Sequence, residues 1–243
     1  MIGNVWAGSE PHRDPLRALG GGSVGAVSME VRWIHAGRLP SLLIDRLGPF
    51  GEEVESREDW YLMDLGLPNL SIKARGGARL DVKASRGSPG QLRLHDGTLG
   101  RLEVWEKWSF PLAGGPRPWG TARAWTRVDK ARRRRSFADA ENRLVERPLT
   151  QAEEPGSSFE LTEICVEGEF WWTLALEALG PRKLREQRLQ ATAMAFINDR
   201  VSTRFRLDMP ASMSYQQHLR TRRLRGTARL NGSRRGADED PET

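Results

Sequence analysis

The chain has one cysteine in 243 residues. Cys165 has no partner within the chain, so intramolecular disulfides are excluded and a reducing compartment fits. Its setting, LTEICVEG, is flanked by apolar residues and reads as a buried, inert thiol rather than a nucleophile. Histidine is also scarce. His12, His35, His95 and His218 are scattered, with no Ser or Cys motif around them, so neither a nucleophilic triad nor a zinc site with ligand spacing is indicated. No run approaches the ~20 apolar residues of a membrane span. The N-terminus lacks a Lys/Arg start followed by an apolar block, so no secretory signal is expected and the chain reads as cytoplasmic. Phosphate loops are missing too: Gly20-Gly21-Gly22 is neither followed by a Lys-Ser/Thr pair nor preceded by a strand.

What the chain does have is charge. Charged residues make up 29% of it, and the net charge is +6. A pI near 10.1 fits polyanionic partners, namely phosphates, nucleotides or nucleic acid, and fits equally the plain alternative of an Arg-rich composition with no partner. From Arg220 onward seven Arg face four acids, so half of the excess sits in a tail and describes no site. Trp is the second abundance: nine Trp stand against two Tyr. Trp105, Trp108, Trp125, Trp171 and Trp172 fall on expected strands, where core or cavity-wall roles outweigh stacking on bases.

The expected fold is α+β: mainly an antiparallel, tunnel-like β-barrel of about eight strands, with two helices and disordered termini. Strands follow strands, which disfavours a βαβ repeat. Residues 1–27, rich in Gly and Pro, read as a disordered leader, 28–209 as the barrel domain and 210–243 as a basic, mostly disordered tail. Within the domain, SMEVRWIHAG is a strand, LPSLLIDRLG a short helix, 49–59 a charged loop and WYLMDL a strand. Residues 139–157 read as a linking loop, SFELTEICVE and FWWTLALEAL as a hairpin, and Pro181 to Arg200 as a helix.

The functional signal lies in the alternation of strand side chains, which sends residues i, i+2 and i+4 to one face. SIKARGG puts Lys73 and Arg75 on one face, RLDVKA puts Arg79, Asp81 and Lys83, and RLEVWEKWSF puts Arg101, Glu103, Trp105 and Lys107. The opposite faces are largely apolar. The charged faces belong either to plain surface or to a polar cavity, and many charges on inner faces require a wet tunnel because a dry charged core is costly. Mixed cations and carboxylates suit phosphoryl chemistry, in which cations neutralise phosphate oxygens and carboxylates hold Mg2+ or Mn2+. The candidate phosphate-binding cations are Arg32, Lys73, Arg75, Lys83, Lys107 and Arg132. The candidate metal carboxylates are Glu30, Glu103, Glu163 and Glu177. In the block KARRRRS, alternation sends Arg132 and Arg134 one way and Arg133 and Arg135 the other. The competing reading is a non-catalytic RNA- or protein-binding module using this strand and the tail.

Read together, SMEVR, then YLMD with LSIKARGGARLDVKA, GRLEVWEKWSF, WTRVDKARRRRSF and ELTEICVEGEFWWTLALEALG resemble the CYTH-like, triphosphate-tunnel family over about Ser28 to Leu179. The resemblance implies an eight-stranded antiparallel tunnel that binds triphosphates or related phosphorylated molecules, usually with a divalent metal. Catalytic members hydrolyse triphosphate, cyclise ATP or act on thiamine triphosphate. The family opens on Glu-x-Glu-x-Lys, where this chain has Ser28, Glu30 and Arg32. One carboxylate is missing, which weakens metal binding, and Arg retains a phosphate contact without serving as a neutral base. The expectation is therefore a charged tunnel for a phosphorylated small molecule or polyphosphate, with Mg-dependent triphosphate hydrolysis as its catalytic extension.

Overall fold

Charge alternation on one face of successive strands leaves the other face free to carry an ordinary apolar core, and the barrel is built that way round. The computed structural model describes residues 25–46, 54–64, 66–94, 96–112, 124–140, 143–152, 154–197, 201 and 204–224. Its strands are β1 (Ala26–Ala36), β2 (Glu55–Leu62), β3 (Leu70–Arg75), β4 (Arg79–Ser85), β5 (Gly90–Arg93), β6 (Leu99–Pro111), β7 (Trp125–Ala140), β8 (Arg143–Arg147), β9 (Gly156–Val166) and β10 (Glu169–Leu179). The helices are α1 (Ser41–Arg46), α2 (Arg182–Phe196) and α3 (215–224).

Eight strands form a closed antiparallel ring in the order β1-β10-β9-β7-β2-β3-β4-β6, and β6 returns to β1. Strands β5 and β8 lie outside it, on β6 and β7 respectively. The closing pair is short. β6 meets β1 only over Ala26 to Glu30, after which β1 continues along β10 alone. Residues 207–213 fill the resulting seam: Leu99 N donates to Leu207 O (2.9 Å), Met213 N to Arg32 O (3.1 Å) and Arg101 N to Ser212 Oγ (2.8 Å).

The larger hydrophobic core lies on the outside of this wall. Met29, Val31 and Trp33 of β1, Leu102 of β6, Phe159 and Leu161 of β9, and Trp172, Leu174, Leu176 and Ala178 of β10 pack with Leu189, Ala193 and Ile197 from α2 and its end. Each fully buried side chain of this kind contributes about 1.5–3 kcal/mol, so this layer carries the stability that a charged lumen cannot supply. Gly100 shows how tight the layer is, because an added Cβ would run into Val31 and Trp33.

Several expectations change. Residues 55–59 are strand, not loop, because Glu55, Arg57 and Asp59 alternate inward and so lack the apolar period that marks a strand. The linking segment 139–157 contains β8 and a short 3-10 turn, Leu149–Gln151. The expected tail from 210 begins with α3, capped where Gln217 N donates to Ser214 Oγ (3.3 Å), a Ser-x-x-Gln start. The leader lies outside the described residues except for its last few, and β1 begins at Ala26. Cys165 is half-buried on the outer face of β9. Among the described residues no helix is long and apolar enough to cross a membrane.

Candidate functional site

Because the ring closes with its charged faces inward, cations from six strands meet in one cavity of about 110 Å3. β1 contributes Arg32, β2 Arg57, β3 Lys73 and Arg75, β4 Lys83, β6 Lys107, and β7 Lys130, Arg132 and Arg134. All six cations expected from the sequence line this cavity. Three carboxylates, Glu30, Glu160 and Glu177, line it with them.

The expected carboxylates divide. Glu30 and Glu177 face each other across the β1–β10 pairing and both line the cavity. Glu103 is the register partner of Glu30 on β6 but borders a neighbouring recess with Arg101, Ser214, Gln216 and Arg220. Glu163 points away from the lumen, where Arg38 Nη1 (2.8 Å) and Leu39 N (2.9 Å) donate to it. It lies three positions after Glu160, and on a strand an odd offset places the two on opposite faces. Glu160 is therefore the lumenal acid of β9. Among the described residues, no group of three or more His, Cys, Asp or Glu side chains is arranged to hold a metal ion.

Each lumenal acid is already engaged. Glu160 accepts from Arg32 Nη1 (3.2 Å) and Arg132 Nη1 (3.3 Å). Asp59, fully buried, lies 2.9 Å from Lys130 Nζ, 3.2 Å from Arg57 Nε and 3.3 Å from Lys73 Nζ. Asp81 is 2.6 Å from Arg75 Nη2 and accepts from Ser109 Oγ (2.6 Å). Lys83 Nζ bridges Glu30 (3.1 Å) and Glu177 (3.5 Å). Arg132 also holds Glu55. Even counting Glu55, Asp59 and Asp81 with the three glutamates, the nine lumenal cations exceed their acids. Three lumenal guanidinium Nε groups, on Arg57, Arg75 and Arg134, are buried and have no hydrogen-bond partner among the described residues, although that of Arg57 lies 3.2 Å from Asp59.

The titration behaviour follows from this crowding. Burial works against charge on Lys73 and, although Asp59 opposes it, neighbouring Arg75, Lys130 and Arg57 help hold its pKa well below the ordinary lysine value. Burial, helped by Arg57 and opposed by Asp59, pushes Lys130 down to about 8. Burial opposes charge on Lys83 too, but Glu30 and Glu177 reverse the balance and hold its pKa up. Asp59 is driven far below the carboxylate range, against its burial, by Lys73, Lys130 and Arg57. Burial, with Glu30 nearby, lifts Glu103 to about 7.

One end of the lumen is apolar. Tyr61, Met63, Val128, Ile164 and Val166 line it, and Leu219 and Tyr215 of α3 pack among them with Trp171. Tyr215 reaches the charged half as well. Its hydroxyl lies 3.2 Å from Thr173 Oγ1, while the Arg32 guanidinium and the Lys130 ammonium each sit 4.2 Å from its ring centroid. Lys130 also donates to the Tyr61 hydroxyl (2.7 Å). α3 thus acts as a plug that walls the cationic cavity on one side.

A closed ring of eight antiparallel strands around a lumen of Lys, Arg and Glu is the arrangement that the resemblance to the triphosphate-tunnel family implied. The fold is a closed eight-stranded antiparallel barrel. No family model and no curated protein matches the sequence. Among solved structures, the chain is similar to a Mimivirus capping enzyme triphosphatase at 12% identity and a TM-score of 0.38, over 75% of this chain and 93% of that one. It is also similar to the PH1819 protein of Pyrococcus horikoshii OT3 at 12% identity and a TM-score of 0.35, over 70% of this chain and 88% of that one.

Within this barrel, sequence reasoning passed over Arg57, Lys130, Glu160, Tyr61 and Tyr215, and it put Arg134 on Arg132's face without naming it among the candidate cations. Lys130 was within reach, two residues from Arg132 on the same face. Arg57 was lost with the misread loop. Tyr215 carries no local signal, because its place depends on α3 packing back into the barrel.

Proposed function

We propose that the lumen binds a phosphorylated small molecule or polyphosphate through its phosphate oxygens. The observation that carries this reading is the convergence of nine Lys and Arg side chains from six strands on one cavity. Lysines offer compact point charges and arginines paired donors, the two donor geometries suited to phosphate oxygens. Burial first, and then the neighbouring cations Arg75, Lys130 and Arg57, lower the pKa of Lys73, and burial with Arg57 does the same for Lys130, so like charges crowd the lumen. A bound polyanion relieves that repulsion. With α3 walling one side, the phosphate chain enters from the other and the rest of the molecule stays towards the mouth.

Binding without turnover is the reading the geometry supports best. Hydrolysis of a triphosphate needs an activated water, and the nearest lumenal carboxylates, Glu30 and Glu177, are both held by Lys83. The nucleic-acid alternative draws less support from the Arg-rich strand, which sends Arg132 and Arg134 inward and ties outward Arg135 to Glu146 (2.7 Å). Isothermal titration with tripolyphosphate and with ATP, each with and without Mg2+, tests the proposal. Lys73→Ala and Lys107→Ala are each expected to weaken binding about tenfold, the worth of one charge-assisted contact. Absence of binding at millimolar ligand, or binding that both substitutions leave unchanged, would refute it.

A further inference from the structure

We propose that Lys83 is a built-in counter-ion standing where a divalent metal would otherwise sit, so that the lumen holds its phosphate ligand without Mg2+ or Mn2+. This deepens the phosphate-binding reading and rests on it. The β1–β10 register places Glu30 opposite Glu177, and the β1–β6 register places Glu103 opposite Glu30, so three strands aim carboxyls at one stretch of wall. A hard divalent cation takes six or more oxygen ligands and favours carboxylates of this kind. Instead, β4 sends Lys83 across β6 to put its Nζ 3.1 Å from Glu30 Oε2 and 3.5 Å from Glu177 Oε1.

The other lumenal acids offer no substitute, because Asp59, Asp81 and Glu160 each lie within 3.3 Å of a Lys or Arg nitrogen. The Mg2+ or Mn2+ expected from the sequence does not fit this donor set: each carboxylate lining the cavity already holds a side-chain cation, Glu103 borders the neighbouring recess where Trp105 Nε1 donates to it (3.4 Å), and Lys83 occupies the space between Glu30 and Glu177. Ser28, standing where the family pattern has its first acid, removes a further oxygen donor of the right charge. What the lumen retains is cation excess. The buried Nε groups of Arg75 and Arg134, without a hydrogen-bond partner among the described residues, are donors to which a phosphate oxygen can bond directly.

The test is tripolyphosphate binding to the full chain in EDTA and in Mg2+, combined with electron paramagnetic resonance of added Mn2+. The wild-type chain is expected to bind equally well in both buffers and to leave Mn2+ free. Lys83→Met, which releases Glu30 and Glu177, is expected to lose about tenfold in EDTA, to recover with Mg2+ and to immobilise Mn2+. Lys83→Arg keeps the charge and is expected to keep binding in EDTA, which gives a second readout if the Met variant folds poorly. Wild-type binding that appears only with Mg2+, or stoichiometric Mn2+ capture by the wild type, overturns the inference. No binding in either buffer would instead remove the phosphate reading on which it rests.

Discussion

Replacing Glu160 with Gln separates the two demands made on the lumen, folding and anion capture. Glu160 accepts from Arg32 Nη1 at 3.2 Å and Arg132 Nη1 at 3.3 Å, while Thr162 Oγ1 donates to it at 2.9 Å. At an effective dielectric of about 20, each arginine contact at ~3.3 Å is worth about 5 kcal/mol before desolvation. Removing one partner of a buried ion pair costs a net ~3–5 kcal/mol. Gln retains the Thr162 contact, and Glu55 still partners Arg132, so the lower end, about 3 kcal/mol, is expected for Glu160→Gln. For a chain of this size that is a fall in Tm of about 6–12 °C.

The same substitution adds one uncompensated positive charge to the cavity, so tripolyphosphate is expected to bind the variant about tenfold more tightly than the wild type. A ligand at a hundred times its Kd restores about 2.7 kcal/mol, so saturating anion returns most of the lost Tm. Differential scanning calorimetry of both proteins, with and without tripolyphosphate, reads both effects. If the anion raises the variant's Tm no more than the wild type's, the balance of charges argued for the lumen is wrong.

Two further predictions concern pH. Glu103 has its pKa raised to about 7, so it holds a proton in the folded chain that the unfolded chain releases near 4.5. Its contribution to stability is therefore complete below about 4.5 and is lost as pH rises through about 7. The shift corresponds to at most about 3 kcal/mol, and solvent access to this half-buried group reduces it to about 1–2. Urea denaturation should show Glu103→Gln gaining on the wild type between pH 5 and 8, by about 1–2 kcal/mol; parallel profiles would contradict this. Lys130, lowered to about 8, carries its charge below that pH and loses it above, so anion affinity should fall as pH rises through about 8. Titrations from about pH 7 to 9 should show this fall in the wild type and not in Lys130→Met, and an unchanged slope in the variant would assign the fall to another lumenal amine such as Lys73.

The charged lumen was legible in the sequence because alternation is a local property. Lys73, Arg75, Lys83 and Lys107 announce their shared faces within a few residues, and Ile72, Ala74, Leu80 and Val82 announce the opposite ones. The strand at 55–62 was not legible, because the acids and Arg that alternate into a polar lumen erase the apolar period by which strands are recognised. The choice of Glu163 over Glu160 failed for a related reason. Period two divides a strand into two faces without saying which is inside, and only pairing with β7, which sets Glu160 opposite Arg134 and Glu163 opposite Ala131, decides it.

By itself, then, the sequence determined that this protein is built of successive antiparallel strands with one charged and one apolar face, and which cations share the charged one. Three matters were decided only by tertiary structure. Ring closure turned the charged faces inward and gave the apolar faces to α2 and the outer core. The return of residues 207–224 filled the seam between β1 and β6 and plugged the lumen with Tyr215 and Leu219. Cross-strand register brought Lys83 between Glu30 and Glu177, residues far apart along the chain. The physical reason is the same each time: local patterning sets which side chains travel together, whereas who meets whom across a barrel depends on contacts between distant strands.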